Sequence, residues 1–328
     1  MFSTRAKAVA LLLGGAVLLA ACGGGNDAAA GSGGAAADGK IKMVAGVAAT
    51  GSSTALQLGL EHGFFAEEGI DLEIGKAATG AGAITQIING QQQVALGGIS
   101  PVVTAVASNI PVQLVAGSVT DRPSPEGTIN QTLVRGDSSI RSFADLTGKT
   151  VAVNSVKCCW EFWMREAVSR SGVDPASLKL VQMPFPDQVS ALKQGSVDAI
   201  STTQPYATEL RQQGFRDIGD SPAVAFDNPN NANTLYYMSK QFIAANPGIV
   251  DKFRRALQKS SDYANAHPDE TRAKIVTQTS ANADLIKAAP LPFYTAEIDR
   301  ATIEKEAQFA VKYGVIQKAP DLSALVAP

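Results

Sequence analysis

From Lys40 onward the chain alternates short runs of β-branched and apolar residues with longer stretches in which apolar positions recur every three or four residues. Runs of the first kind, bounded by Gly, Asn or Pro, read as strands, and stretches of the second kind read as helices. The pattern predicts strands over 41–47, 71–74, 94–99 and 112–116, separated by helices over 54–67, 84–89 and 102–108. Gly69 and Gly90 stand where two of these helices should stop, because a helix end commonly needs the left-handed conformation that glycine adopts without strain. The order is βαβαβαβ. Parallel strands joined by crossover helices give an open α/β sheet, which places ligands at the carboxyl ends of its strands.

The alternation pauses over 121–130, a stretch rich in Pro, Gly and polar residues, and restarts with a strand at 132–135. Strands at 150–154, 178–183 and 199–203 follow, with helices at 160–170 and 188–194. A weak internal echo links the two series: Gly90 precedes Val94, Ala95 and Leu96 much as Gly195 precedes Val197, Ala199 and Ile200. After a second polar pause at 227–233, a strand at 234–238 opens a mainly helical tail that includes 249–264 and 296–313. In the last helix Ile303, Ala307, Ala310 and Val311 fall on one face, and Gly314 ends it. The expected fold is α/β with two lobes, 40–130 plus 228–328 in one and 131–227 in the other. Two extended crossings would join them, leaving a cleft that opens and shuts by hinge motion.

The first 39 residues follow a different pattern. Arg5 and Lys7 precede an uncharged apolar run over 8–21, too short to span a membrane stably and interrupted by Gly14 and Gly15. That is the layout of an export signal. The run ends Leu19-Ala20-Ala21-Cys22, which resembles the bacterial lipobox. The resemblance implies cleavage before Cys22 and lipidation of its sulfur. The Gly/Ala/Ser-rich segment 22–39 would then be a flexible tether between bilayer and globular domain. The expected location is the extracytoplasmic face of the cell membrane, held by the lipid.

Composition narrows the function. The formal net charge of −2 becomes more negative once Arg5 and Lys7 are removed, and no basic block occurs, which excludes an ordinary nucleic-acid binder. With 45% hydrophobic residues, the remaining length is ample for a divided core. With Cys22 taken by lipid, only Cys158 and Cys159 are left, so no disulfide framework holds the fold.

Three enzyme motifs begin and fail. Gly148-Lys149-Thr150 would close a phosphate-binding loop, but Phe143 stands where its first glycine belongs. Gly98-Ile99-Ser100-Pro101-Val102 starts like a nucleophile elbow and lacks the final glycine. Gly80-Ala81-Gly82 is followed by Thr85 where a dinucleotide fingerprint needs a third glycine. The two histidines, His62 and His267, are far apart in sequence and show no metal-ligand spacing. No catalytic residue, metal or cofactor is expected.

Several segments resemble the type 2 periplasmic-binding proteins of the sulfonate, nitrate, taurine and thiamine-precursor branch. They are Glu61-His62-Gly63-Phe64-Phe65-Ala66-Glu67-Glu68-Gly69-Ile70-Asp71-Leu72, the stretch from Gly90 to Gly97-Gly98, Val134-Arg135, Ser139-Ile140-Arg141-Ser142, Asp145 through Val153, and Gly195-Ser196-Val197-Asp198-Ala199. The resemblance covers nearly the whole chain after the tether. It implies a two-lobed binding protein, a monomer and not an enzyme, that closes over a small-molecule solute and delivers it to the permease of an ABC importer. It also implies that ligand meets the loops after the strands, where unpaired backbone N–H groups open helices. Those loops supply Thr50, Gly51, Ser52, Gly80, Ala81, Ser100 and Pro101 from the first lobe. From the second they supply Ser155, Lys157, Cys158, Cys159, Trp160, Gln204 and Tyr206. Ser52 and Ser53 have an equally good role as caps of the helix that follows.

The segment Ser155-Val156-Lys157-Cys158-Cys159-Trp160 departs from that branch, whose members more often carry Gly-Ser and small or polar residues. A lysine entering a helix N-terminus opposes the helix dipole and so serves another charge, either a bound anion or a surface carboxylate. Trp160, Trp163, Met164, Ala167 and Val168 form a helical stripe that reads as core. Trp160, one turn nearer the cleft, belongs either to that stripe or to a flat wall for a planar ligand. The adjacent cysteines are either buried thiols lining a pocket or a pair able to form a vicinal disulfide. The expected solute is small, organic and anionic, such as a sulfonate or an aromatic carboxylate. The alternative, suggested by the fungal thiamine-pyrimidine synthase, is a pyrimidine-precursor binding protein or a synthase-like enzyme with Cys158 and Cys159 in its site.

Overall fold

A computed structural model describes residues 39–76, 78, 81–124, 127–279 and 282–328. The expected export signal, Cys22, all but the last residue of the tether, and Gly80 lie outside the described residues. In chain order the first lobe runs β1 (Ile41–Gly46), α1 (Thr54–Glu61), α2 (Phe64–Glu67), β2 (Ile70–Gly75), α3 (Ala81–Ile88), β3 (Val94–Gly98), α4 (Ile99–Ala107) and β4 (Val112–Thr120). The second lobe follows with β5 (Asn130–Val134), β6 (Thr150–Val153), α5 (Cys159–Arg170), β7 (Lys179–Gln182), α6 (Phe185–Gln194), β8 (Ala199–Thr203), α7 (Tyr206–Gln212), β9 (Arg216–Gly219) and α8 (Ser221–Phe226). The chain then returns through β10 (Thr234–Ser239), α9 (Lys240–Ala245), α10 (Ile249–Ala266), α11 (Pro268–Thr279), α12 (Ala283–Ala288), β11 (Phe293–Tyr294), α13 (Arg300–Lys312) and α14 (Leu322–Leu325).

The strands form two sheets, ordered β11-β4-β10-β3-β1-β2 and β7-β6-β8-β5-β9. In the first, β1 lies parallel to β2 and β3 as the local pattern predicts, but β10 inserts antiparallel between β3 and β4. In the second, β6 is parallel to β7 and β8, while β5 runs antiparallel to β8 and β9. The four strands of the first series thus share one direction, and β10 and β5 run against their neighbours, in directions the local pattern left open. A strand returning from the other lobe carries no local mark of its direction, since hydrophobic periodicity reports which face is buried and not which neighbour is paired. Between the lobes the chain crosses twice, at 121–129 and 227–233. The Asp121 N–H donates to the Asn231 carbonyl at 3.1 Å and ties the crossings together.

Inner strands are buried along their length because helices cover both faces: every residue of β4 but the last is buried, and so is every residue of β10 but the first. The predicted helix over 54–67 breaks in two, with Gly63 between the halves at φ 78°. A continuous helix would have required that glycine to remain right-handed. Gly59 on α1 lets α10 approach closely, since a Cβ there would lie 1.7 Å from Ser260 Oγ. The tail helix begins at Arg300 and not at 296, because Asp299 caps it by accepting from the Thr302 N–H at 3.1 Å. Ile303, Ala307 and Ala310 are buried on its inner face, but Val311 is 36% exposed and leaves that stripe.

Candidate functional site

The loop after β1 is held by its own backbone. Ser53 is fully buried, and its hydroxyl donates to the carbonyls of Ala48 (2.8 Å) and Thr50 (3.0 Å). Three outside groups grip the neighbouring carbonyls: Gln278 Nε2 on Thr50 (2.6 Å), the Tyr294 hydroxyl on Gly51 (2.9 Å) and Ser118 Oγ on Ser52 (2.8 Å). Ser53 occupies the cap position of α1 without a side-chain capping bond, so the capping role foreseen for this pair is not realised. Ala81 opens α3 and is exposed. Ser100 and Pro101 lie in the first turn of α4; Ser100 is buried and donates its hydroxyl to Glu306 Oε1.

In the second lobe, β6 leads through Ser155 and Lys157 into α5. Lys157 is exposed, with a left-handed φ of 58°, and its N–H donates to Glu161 Oε2 at 2.7 Å. Cys158 caps α5 in an extended conformation. Its sulfur lies 2.9 Å from Ser155 Oγ and 3.7 Å from Cys159 Sγ, and both cysteines are free thiols. The hydrogen bond from Cys159 brings the Cys158 thiol down to about 7. Ser155 and the N–H groups of Cys159 and Trp160 help, against the opposing effect of burial. The same bond, with burial, pushes Cys159 well above the usual thiol range.

Trp163, Met164, Ala167 and Val168 are buried as their spacing predicts. Trp160 joins the stripe and also reaches beyond it: its ring is 5.3 Å from Trp163 and 5.3 Å from Phe185, whose own ring stacks on Tyr206 at 5.9 Å. Trp160, Phe185 and Tyr206 are each half-buried, so this row joins the core to the surface of the second lobe. Gln204 is committed elsewhere, donating to the Thr128 carbonyl (3.1 Å) and accepting from the Thr208 hydroxyl (2.8 Å).

The site residues that sequence reading missed come from the tail. Glu306 of α13 is fully buried and accepts from Ser100 on the first lobe and from Trp163 Nε1 on the second at 2.9 Å. Burial pushes its carboxyl up to about 7 against these two hydrogen bonds, and the Cys158 charge adds to the rise. Nearby, Glu166 of α5 accepts from the Tyr313 hydroxyl at 2.6 Å and from Lys312. Phe162 stacks on Tyr313 with ring centroids 5.7 Å apart. A signal for Glu306 was present, since it sits three residues after Ile303 on the same inner face. At the crossings Asp121 and Asp220 are both buried; desolvation raises Asp121 to about 6, and desolvation together with repulsion from Asp121 raises Asp220 well above the usual carboxylate range. His62 and His267, remote in sequence, meet on Tyr263 with ring centroids 4.2 and 4.0 Å from it. Among the described residues no group of three His, Cys, Asp or Glu side chains is placed to hold a metal ion, and no helix is long and apolar enough to cross a membrane.

A family profile described as "NMT1/THI5 like" matches residues 51–271, which takes in the β1 loop, the α5 entry and both crossings. The chain belongs to this family. It is 26% identical over 238 residues to a formylaminopyrimidine-binding protein of Halalkalibacterium halodurans, covering 71% of this chain and 69% of that one. It is 24% identical over 223 residues to a 4-amino-5-hydroxymethyl-2-methylpyrimidine phosphate synthase of Candida albicans, covering 65% and 63%. The chain thus spans about two thirds of the length of these relatives. Among solved structures, the periplasmic aliphatic sulphonate-binding protein of Escherichia coli superposes with a TM-score of 0.71 at 16% identity, over 88% of this chain and 92% of that one. That likeness fixes the fold as the two-lobed periplasmic-binding-protein architecture.

Proposed function

We propose that this protein is the solute-binding component of an ABC importer, anchored by lipid at Cys22 on the extracytoplasmic face, and that it captures a small, planar organic anion between its lobes. The lobes in this reading are 40–130 plus 228–328 and 131–227, hinged at the two crossings, and the protein acts as a monomer that hands its solute to a membrane permease. The observation that carries the reading is the half-buried row Trp160, Phe185 and Tyr206 beside the exposed Lys157 at the entry to α5. A row of rings left partly open is costly to hydrate and offers a flat wall to a planar solute. Lys157 and the positive end of the α5 dipole supply positive potential beside it.

A thermal-shift screen over sulfonates, aromatic carboxylates, nitrate-like anions and pyrimidines tests the reading, because a solute that binds only the folded state raises the melting temperature by mass action. A stabilising anion whose affinity falls in Trp160→Ala supports it; stabilisation by none of these classes contradicts it. Equal membrane retention of wild type and Cys22→Ser would overturn the anchor alone.

A second reading has its own observation. The Cys158 thiol is lowered to about 7, and a relative carries the name of a synthase. A pyrimidine-precursor protein with Cys158 and Cys159 in a reactive site would account for both. Product formed from a bound pyrimidine by the purified protein, and lost in Cys158→Ser, would favour it.

A further inference from the structure

We propose that Cys158 and Cys159 form a dithiol modification site where the lobes meet, in which Cys158 attacks a small-molecule disulfide and Cys159 completes the exchange. The two thiols are placed unequally. Cys158 is half-exposed at the start of α5, within hydrogen-bond reach of Ser155 Oγ at 2.9 Å. Cys159 is 8% exposed and faces the first lobe, where a Cβ built on Gly98 would lie 3.4 Å from its sulfur. Only Cys158 can meet a reagent from solvent, and only Cys159, at 3.7 Å, is near enough to resolve the product.

Electrostatics agrees with this division of labour. The ionisable groups facing Cys158 are Cys159 on its own helix and Glu306 on α13, with Lys157 and Glu161 flanking it in the chain. Glu161 is engaged by the Lys157 N–H and by Arg165 Nε, both at 2.7 Å. Donors from Cys159, Ser155 and the helix N-terminus favour a thiolate on Cys158, whereas the hydrogen bond to Cys158, together with burial, keeps Cys159 protonated. A thiolate near neutral pH is the efficient attacking species in thiol–disulfide exchange.

The exchange balances. The Cys158 thiolate attacks one sulfur of R–S–S–R, forming a mixed disulfide and expelling RS⁻. That thiolate is protonated at the expense of Cys159, whose sulfur then attacks Cys158 and expels the second RS⁻. Two protein thiols are oxidised by two electrons, and one small disulfide is reduced to two thiols that carry away the protons. The result is a vicinal disulfide at the end of α5, beside the contact with Gly98.

Dithiobis(nitrobenzoate) on the full chain carrying Cys22→Ser tests this. The two cysteines should release two coloured thiols per chain and leave it lighter by two hydrogens with no adduct, at a rate whose midpoint lies near pH 7. Cys159→Ser should release one and retain the nitrobenzoate on Cys158, and Cys158→Ser should react about tenfold more slowly. Limiting alkylation of the chain with both cysteines intact, mapped by peptide mass, should label Cys158 first and reads the same order without disturbing the pair. A stable adduct with both cysteines present, or Cys159 labelled first, would overturn the proposal.

Discussion

In the first lobe the described loops after β1 and β3 spend their polar groups on the protein itself, whereas in the second lobe the entry to α5 and the starts of α6 and α7 leave a lysine, a thiol and three aromatic rings partly open. The β1 loop has every carbonyl from Thr50 to Ser52 gripped from outside, and Ser100 is bound to Glu306. In the proposed reading the first lobe offers a braced backbone surface, and the second offers the side chains that would discriminate one solute from another. The difference teaches that equivalent positions after equivalent strands need not share a role. Hydrogen bonds already made within the fold are unavailable to a ligand.

The sharpest way to break this comparison is to exchange the two tryptophans. Trp163→Ala removes a buried ring and the donor that holds Glu306, and should cost about 3–5 kcal/mol in denaturant unfolding. Trp160→Ala, on the open row, should cost clearly less and act on solute affinity instead. Equal destabilisation by both would erase the distinction between core and wall.

Next in size is the lysine. If Lys157 faces a bound anion, Lys157→Ala should weaken binding in calorimetry by about one to two decades. Lys157→Arg should restore only part of that, because its fork presents donors differently. Added salt should weaken the wild type more than Lys157→Ala.

Glu306 gives a pH signature at the lobe junction. Its carboxyl is raised from 4.5 to about 7 in the folded protein, so between those values the folded state holds a proton that the unfolded chain has lost. Stability from this group is therefore full below about 4.5 and declines as pH rises toward 7. The raised Asp121 and Asp220 act in the same direction. Glu306→Gln should flatten the decline in thermal unfolding followed from pH 4.5 to 7.5; an unchanged slope would place its origin at the crossings.

The smallest effect belongs to the braced loop. Ser53→Ala should lower stability by about 1 kcal/mol and leave the affinity of an identified solute nearly unchanged. A tenfold loss of affinity with intact stability would make the first lobe a discriminating face after all.

Much of this architecture is legible along the chain because its causes are local. Gly90 and Gly195 end helices at φ 75° and 73°, as their places after apolar stripes predict, and the α5 stripe from Trp163 to Val168 is buried as spaced. What the sequence hides depends on distant partners. The direction of β10 is decided by β3 and β4, and β9 with α8 is too short to show a period. Glu306 looks like an ordinary helical glutamate until Ser100, 206 positions away, and Trp163, 143 positions away, close on it. Phe185 gains meaning only from the neighbours that fold places beside it, Trp160 and Tyr206.

The central claim is that two lobes close on a solute held against the row of Trp160, Phe185 and Tyr206. Small-angle scattering, with and without the solute that most raises the melting temperature, tests it most directly. The account predicts a smaller radius of gyration with solute, together with a tryptophan emission shift that is lost in Trp160→Ala. An unchanged radius with the solute demonstrably bound would contradict it.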